Sequence, residues 1–307
     1  MTKRALVITG LALTCLCLIG CDLLPSAGPM VTDSRSVKQG GAKSVAVQMD
    51  MDVGDLKLTG GASDLMNAEF RYNIPGWKPV VQYTASGDMG TLVVRQPTIR
   101  NLRFRDAENH WDVRLRDLLP MDLTVRNETG DSNLSLNGLA LTSLTVDSET
   151  GSTTVDLSGR YAGLKTLDIG SETGHCTVEM TGVYPSLSSI SIKSQTGQCT
   201  AEMTGTYPSL SSINISTETG SVNANLAGHW TRSADFEIKS QTGSINVTVP
   251  TNVGVYITTH KETGSISASG LNAQGNEYTN DLYGKSPVTL RLNVSVETGS
   301  INLRSQH

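Results

Sequence analysis

Aromatic side chains make up only 5% of the 307 residues and charged ones only 17%. That scarcity argues against a helical bundle and against charge-driven disorder. There is no basic excess, with 24 Lys and Arg against 29 Asp and Glu. The chain therefore lacks the electrostatic footprint of a nucleic-acid binder, and no nucleic-acid partner is expected. No stretch of useful length repeats at the helical period. The apolar run 5–19 has 15 residues, is too short to span a bilayer, and is soon interrupted by Asp22 and Pro25. Five cysteines contain no paired CxxC, so neither a disulfide framework nor a zinc site is indicated. His110, His175, His229 and His260 are scattered without metal-ligand spacing. A phosphate loop, a GxSxG elbow and an HExxH helix are all missing. No enzyme activity, catalytic residue, metal or cofactor is expected.

What is present begins with an address. Lys3 and Arg4 precede the apolar run, which ends in Leu18-Ile19-Gly20-Cys21 and resembles the bacterial lipobox. The resemblance implies cleavage before Cys21 and a diacylglycerol on its sulfur, with 1–20 as the signal peptide. Two or three acyl chains, at about 0.8 kcal/mol per buried methylene, anchor a protein stably. Loss of Lys3 and Arg4 leaves 22 basic and 29 acidic residues, a charge of -7. Asp22 after the lipidated cysteine resembles an inner-membrane retention signal of enteric-type diderms. The expectation is an exported lipoprotein held to the membrane, at the cell surface or the periplasmic face. Residues 21–43, with Pro25, Ser26, Gly28, Pro29, Gly40 and Gly41, read as a tether.

From residue 128 onward the text returns to an acid or amide followed by Thr-Gly. The glycines Gly130, Gly151, Gly174, Gly197, Gly220, Gly243, Gly264 and Gly299 are spaced by 21, 23, 23, 23, 23, 21 and 35 residues. Runs 171–193 and 194–216 share 17 of 23 positions, so the repeat is real and marks a solenoid. Each unit holds two alternating segments: Cys176, Val178 and Met180 against Thr177 and Glu179, then Leu187, Ile190 and Ile192 against Ser189 and Ser191. Period-two alternation is the half-buried strand signal. The glycine then supplies the positive φ of the turn. Coils of this size bury too little apolar surface to stand alone and depend on stacking about 4.8 Å apart.

Residues 44–120 carry further expected strands at 45–52, 55–58, 68–72, 80–84, 92–95 and 111–115, with turns at Pro75-Gly76 and Gly87-Asp88. This region is expected to cover one edge of the solenoid against edge-to-edge aggregation. Val53-Gly54-Asp55-Leu56, the stretch 68–79, Trp111-Asp112-Val113-Arg114-Leu115 with Pro120, and the Thr-Gly coils together resemble the toast-rack family, also called the "putative adhesin" family. The resemblance spans most of 44–307. It implies an all-β stack of two strands per coil, with a smaller N-terminal β region capping it and no known catalytic residues. The organisation is then signal peptide 1–20, tether 21–43, capping region 44–120 and adhesin-like solenoid 121–307.

Four features bear on function. Glu128, Glu149, Glu172, Gln195, Glu218, Gln241, Glu262 and Glu297 precede the Thr-Gly pairs and form a column if the coils are in register. Between Glu172 and Glu262 acid and amide alternate, which roughly doubles the charge spacing and relieves repulsion; a calcium stripe is the other reading. Tyr161, Tyr184, Tyr207 and Trp230 recur every 23 residues. They either close a corner of each coil or form an aromatic platform for sugar rings, and they are the candidate binding residues. Cys176 and Cys199 hold one site in adjacent coils, as buried thiols or an inter-coil disulfide. Arg95, Arg100, Arg103 and Arg105 form a basic run, as a solvated strand face or a contact for anionic polymer or lipid; Asp50, Asp52 and Asp55 resemble a calcium loop only superficially, since its glycine is misplaced.

These readings lead to a non-enzymatic, adhesin-like envelope lipoprotein that binds a glycan or an envelope protein through the solenoid surface. An envelope-stress or signalling accessory engaging a membrane sensor is the alternative. A polysaccharide-acting β-helix enzyme would need a cleft lined by Asp, Arg and Lys. Here the outward positions are Ser, Thr and Asn, such as Asn223, Asn225, Asn246, Thr248 and Ser267.

Overall fold

The computed structural model describes residues 26–99 and 105–305. The chain is all-β; among the described residues the one helical turn is Pro75–Trp77. Each rung consists of a long strand, a corner glycine and a short strand. The first rungs are Ser44–Val53 with Asp55–Thr59, Pro120–Thr129 with Ser132–Ser135, and Ala140–Thr150 with Thr153–Asp156. Next come Thr166–Thr173 with Cys176–Glu179, Ser189–Thr196 with Cys199–Glu202, and Ser212–Thr219 with Val222–Asn225. In the last three, Ala234–Val249, Thr289–Ser305 and Gly254–Ser269, one continuous strand runs through the corner. Neighbouring rungs pair in parallel and in register, giving nine rungs in that spatial order.

Register stacks like on like. Leu144, Leu167, Ile190, Ile213, Phe236, Leu292 and Ile257 form one inward row, and all are buried. Val155, Val178, Ala201, Ala224, Val247 and Leu303 form the facing row on the short strands. The corners explain the repeated glycine. From Gly130 to Gly299 they lie at φ between +128 and +149. A Cβ on any of the eight would fall 1.6–2.1 Å from the carbonyl oxygen of the adjacent corner glycine. Only glycine combines that backbone with that approach.

Three findings depart from the sequence reading. Residues 31–37 of the expected tether form a strand, Val31–Val37, antiparallel to Met66–Tyr72. Residues 44–59, expected in the capping region, are themselves a rung, with Gly54 at φ +139 as its corner. The cap proper comprises Val31–Val37, Met66–Tyr72 and Asn109–Leu115 on the short-strand side, and Val80–Ser86 and Met89–Arg95 on the long-strand side. Third, the rungs do not follow chain order at the far end. Thr289–Ser305 inserts between Ala234–Val249 and Gly254–Ser269. The long gap from Gly264 to Gly299 is the excursion this requires, including a small hairpin, Asn272–Gln274 with Glu277–Thr279.

Candidate functional site

Every long strand ends in a pattern whose geometry follows from alternation. The residue four before the corner glycine points outward, the next points inward, and the acid or amide two before the glycine points outward again. Two outward columns result. In spatial order the second is Asp52, Glu128, Glu149, Glu172, Gln195, Glu218, Gln241, Glu297 and Glu262. Beside it run Asp50, Arg126, Asp147, Gly170, Lys193, Ser216, Lys239, Ser295 and His260. They line a groove of about 860 Å³ that crosses seven rungs, from Asp147 and Glu149 to His260 and Glu262. At about 4.8 Å per rung, it is roughly 29 Å long.

The groove is chemically graded. Its cap-ward approach is acidic: Asp52, Glu128, Glu149 and Glu172 follow one another without an amide between them. Arg126 offsets part of this charge, 3.5 Å from Asp50 and 3.6 Å from Asp147. Glu128 still titrates above the ordinary carboxylate range, because burial penalises its charge and because Asp52 and Glu149 lie nearby. The centre is mixed, with Lys193, Gln195, Ser216, Glu218, Lys239 and Gln241. Lys239 pairs with Glu237 on its own strand. The alternation of acid and amide expected between Glu172 and Glu262 thus runs from Glu172 through Gln241 to Glu297. Glu297 precedes Glu262 in space, so two carboxylates adjoin at the far end. Asp52 was missed as a column member because its corner reads Val-Gly rather than Thr-Gly. Among the described residues, no group of three or more His, Cys, Asp or Glu is placed to hold a metal ion.

The aromatic column is real but enclosed. Tyr161 and Tyr184 stack at 5.6 Å, Tyr184 and Tyr207 at 5.3 Å, and Tyr207 and Trp230 at 4.6 Å. All four rings are at most 2% exposed. The Tyr184 hydroxyl donates to the Leu157 carbonyl and that of Tyr207 to Met180; Trp230 Nε1 donates to Leu226 at 3.0 Å. Burial pushes all three phenols above their usual titration range. The platform reading of Tyr161, Tyr184, Tyr207 and Trp230 is therefore corrected: no ring face is open to a sugar. The physical cause stands two residues earlier in each coil, at Gly159, Gly182, Gly205 and Gly228. A Cβ on Gly182 or Gly205 would meet the carbonyl oxygen of the matching glycine one rung before at 2.0 and 2.2 Å, and one on Gly228 would also meet the Tyr207 ring at 2.8 Å, so these glycines let successive connections pack closely over the rings. That pairing of glycine and aromatic was the available signal of burial.

Cys176 and Cys199 are register partners, fully buried and free. The Cys176 thiol and burial together hold the Cys199 thiol well above its usual range, so the pair packs as small apolar side chains. Asp50 and Asp52 line a smaller hollow at the cap-ward approach to the groove, with Arg126 and Glu128, whereas Asp55 accepts the Asp131 backbone N–H at 3.1 Å. Cys21, with the leader 1–20, and Arg100 and Arg103 of the basic run lie outside the described residues.

The family comparison agrees with the fold. Residues 26–181, just over half of the chain, match the family described as the N-terminal domain of toast_rack. No curated protein matches the sequence significantly. A "putative cell adhesion protein" from Clostridium sporogenes aligns over 91% of this chain and 100% of its own, at 20% identity and a TM-score of 0.38. A "putative adhesin" from Parabacteroides merdae aligns over 91% and 98%, at 10% identity and a TM-score of 0.45. Another from Bacteroides fragilis aligns over 91% and 99%, at 12% identity and a TM-score of 0.39.

Proposed function

The chain belongs to the toast-rack family, and from that premise we propose that it is a non-enzymatic, adhesin-like envelope lipoprotein, held to the membrane through Cys21, whose rung-lined groove takes up an extended glycan or protein partner. The observation that carries the reading is the groove itself. Its two columns advance by one residue each per rung, so an extended polymer lying along it meets side chains at a fixed spacing while their charge changes from end to end. The wall chemistry supports recognition rather than turnover. Carboxylates, amides, hydroxyls, two lysines and His260 offer donors and acceptors along the whole length. The wall strands are locked in parallel ladders, so little ordering entropy is lost on binding.

Titration of the full chain with purified envelope polysaccharides and envelope proteins tests the proposal. Replacing the central set Lys193, Gln195, Glu218 and Gln241 by alanine is expected to abolish binding and leave the far-UV spectrum unchanged. Binding that survives this replacement places the partner elsewhere and defeats the groove reading. The anchor is tested separately: fatty acid label is expected on the wild type and lost in Cys21→Ala, and labelling that persists overturns it.

A further inference from the structure

The two ends of the stack are finished differently. At one end the cap covers both strands of the rung Ser44–Val53 and Asp55–Thr59. At the other, the small hairpin pairs with residues 256–258 only, and Asn276 reaches Thr259. Residues 260–269 have Thr289–Ser305 on one side and, among the described residues, no strand on the other.

The ladder shows which groups are left open. In inner rungs the corner glycine and the residue two further on donate N–H to the next rung, as Gly197 does to Thr219 at 2.8 Å and Cys199 to Ser221 at 2.9 Å. The matching positions here are Gly264 and Ile266, and Ala268 continues the alternation, so their N–H and C=O groups face away from the stack. Ile266 and Ala268 extend inward rows whose other members, such as Ile301 and Leu303, are buried, yet Ile266 is only half-buried and Ala268 is exposed. Between Thr263 and Ser269 there is no Lys or Pro to blunt the edge.

We infer that this edge is closed by a second copy of the chain, with 264–268 pairing antiparallel to itself about a two-fold axis at Ile266. Hydrogen-bonded partners in an antiparallel pair must both face outward. The register centred on Ile266 meets that condition: Gly264 opposes Ala268, Ile266 opposes its own counterpart, and Ser265 opposes Ser267. It also brings the two Ile266 side chains together and continues the apolar row across the axis. Lys261 and Glu262 would oppose Leu271 and Gly270, so no like charges meet. Head-to-tail growth is blocked because the opposite end is capped, and association stops at two. Five residues a side bury far less than the roughly 800 Å² per partner of a stable complex. The contact is therefore weak alone and gains strength when many copies share a surface.

The geometry also sets orientation. The described chain enters at Ser26, bridged to Arg105, and Gly28 donates to Asn73 beside the cap. End-to-end pairing therefore turns the two Ser26 positions away from each other. Given the membrane-anchored reading above, on which this step rests, the second copy sits on an opposing membrane and the contact is homophilic.

The test uses the full chain, by sedimentation in detergent micelles and by clustering of vesicles that carry it. Concentration-dependent dimers and clustered vesicles are expected. Ser265→Lys with Ser267→Lys opposes lysines twice across the axis and should weaken dimerisation about tenfold. Ser265→Glu with Ser267→Glu should do the same, and an equimolar mixture of the two variants should restore pairing, which misfolded chains could not do. A wild type that stays monomeric at every concentration, or charged variants that pair as it does, overturns the inference. So does an edge that takes an unrelated extended peptide in preference to a second copy. These outcomes are separable from the groove: ligand binding there without dimers sinks this inference alone, whereas dimers without any groove ligand sink the groove reading alone.

Discussion

Gly197→Ala tests the corner directly. Gly197 lies at φ +136, and a Cβ would sit 1.8 Å from the Gly174 carbonyl oxygen. That oxygen is backbone and cannot rotate away. Holding alanine in this region of the map costs about 1–3 kcal/mol. Relieving the overlap means parting two rungs. The bonds at risk include Gly174 N–H to Thr196 at 2.9 Å and Gly197 N–H to Thr219 at 2.8 Å. At about 1 kcal/mol net for each of two or three lost ladder bonds, the total is roughly 3–6 kcal/mol. With a urea dependence of about 3 kcal/mol per molar, the midpoint should fall by about 1–2 M. Gly41→Ala is the control, since nothing lies within 4 Å of its Cβ position and its φ is not positive; its midpoint should not move measurably. A Gly197→Ala midpoint indistinguishable from that of Gly41→Ala would refute the account of why the repeat keeps glycine.

Tyr207→Ala should destabilise the chain by about 3–5 kcal/mol in urea unfolding, since a fully buried, doubly stacked ring is removed; a loss under about 1 kcal/mol would contradict its enclosure. Tyr207→Phe, which forfeits the bond to the Met180 carbonyl and the one accepted from Gly205 N–H, should cost about 1–2 kcal/mol. Glu128 has a folded-state pKa raised above the ordinary 4.5, so the folded state holds its proton more tightly and ionisation is a cost to folding. The penalty is absent below about pH 4.5, grows as pH rises through the folded value and is complete at neutrality. Glu128→Gln should accordingly raise the melting temperature at pH 7, with the gain vanishing as pH falls below 4.5; an equal gain at both would exclude the ionic cause. Truncation after residue 288 should unseat 254–288 as well as removing Thr289–Ser305, because Gly254–Ser269 pairs with no other rung; proteolysis should then trim the chain back to about residue 250, and protection of 254–269 would contradict the rung order.

The stack was legible from residue 128 because one physical demand, positive φ at a crowded corner, leaves glycine no substitute. The first rung was not, because its corner at Gly54 follows Val53 instead of threonine and stands alone, 76 residues before Gly130. The aromatic column was legible as a period but not as a buried one. Strand parity does not tell which way a residue points once the chain has left the strand, and Tyr161 and Tyr184 lie in the connections between strands. The groove was half legible: its acid and amide column was visible, while its second wall four residues before each glycine mixes Asp, Gly, Lys and Ser and carries no repeat to notice.

Rung order at the far end was the hardest to read, because spacing alone cannot say whether Gly299 follows Gly264 or precedes it in space. One residue nevertheless encodes the answer. The position three before each corner glycine points inward, and it holds Ser148, Ser171, Ser194, Thr217 and Ser240, all buried, then Val296, and in the last rung Lys261. An ammonium group between two rungs would lose its water with no acid inside the coil to meet it. Lysine is tolerable there only where one side of the rung is solvent, and Lys261 is exposed. Thr289–Ser305, with Leu290, Leu292, Val294, Val296, Ile301 and Leu303 all buried, carries the apolar set of an interior rung. The chain end is thus driven inward and the rung before it outward by where each can place its side chains, and the open edge at Ile266 is the consequence.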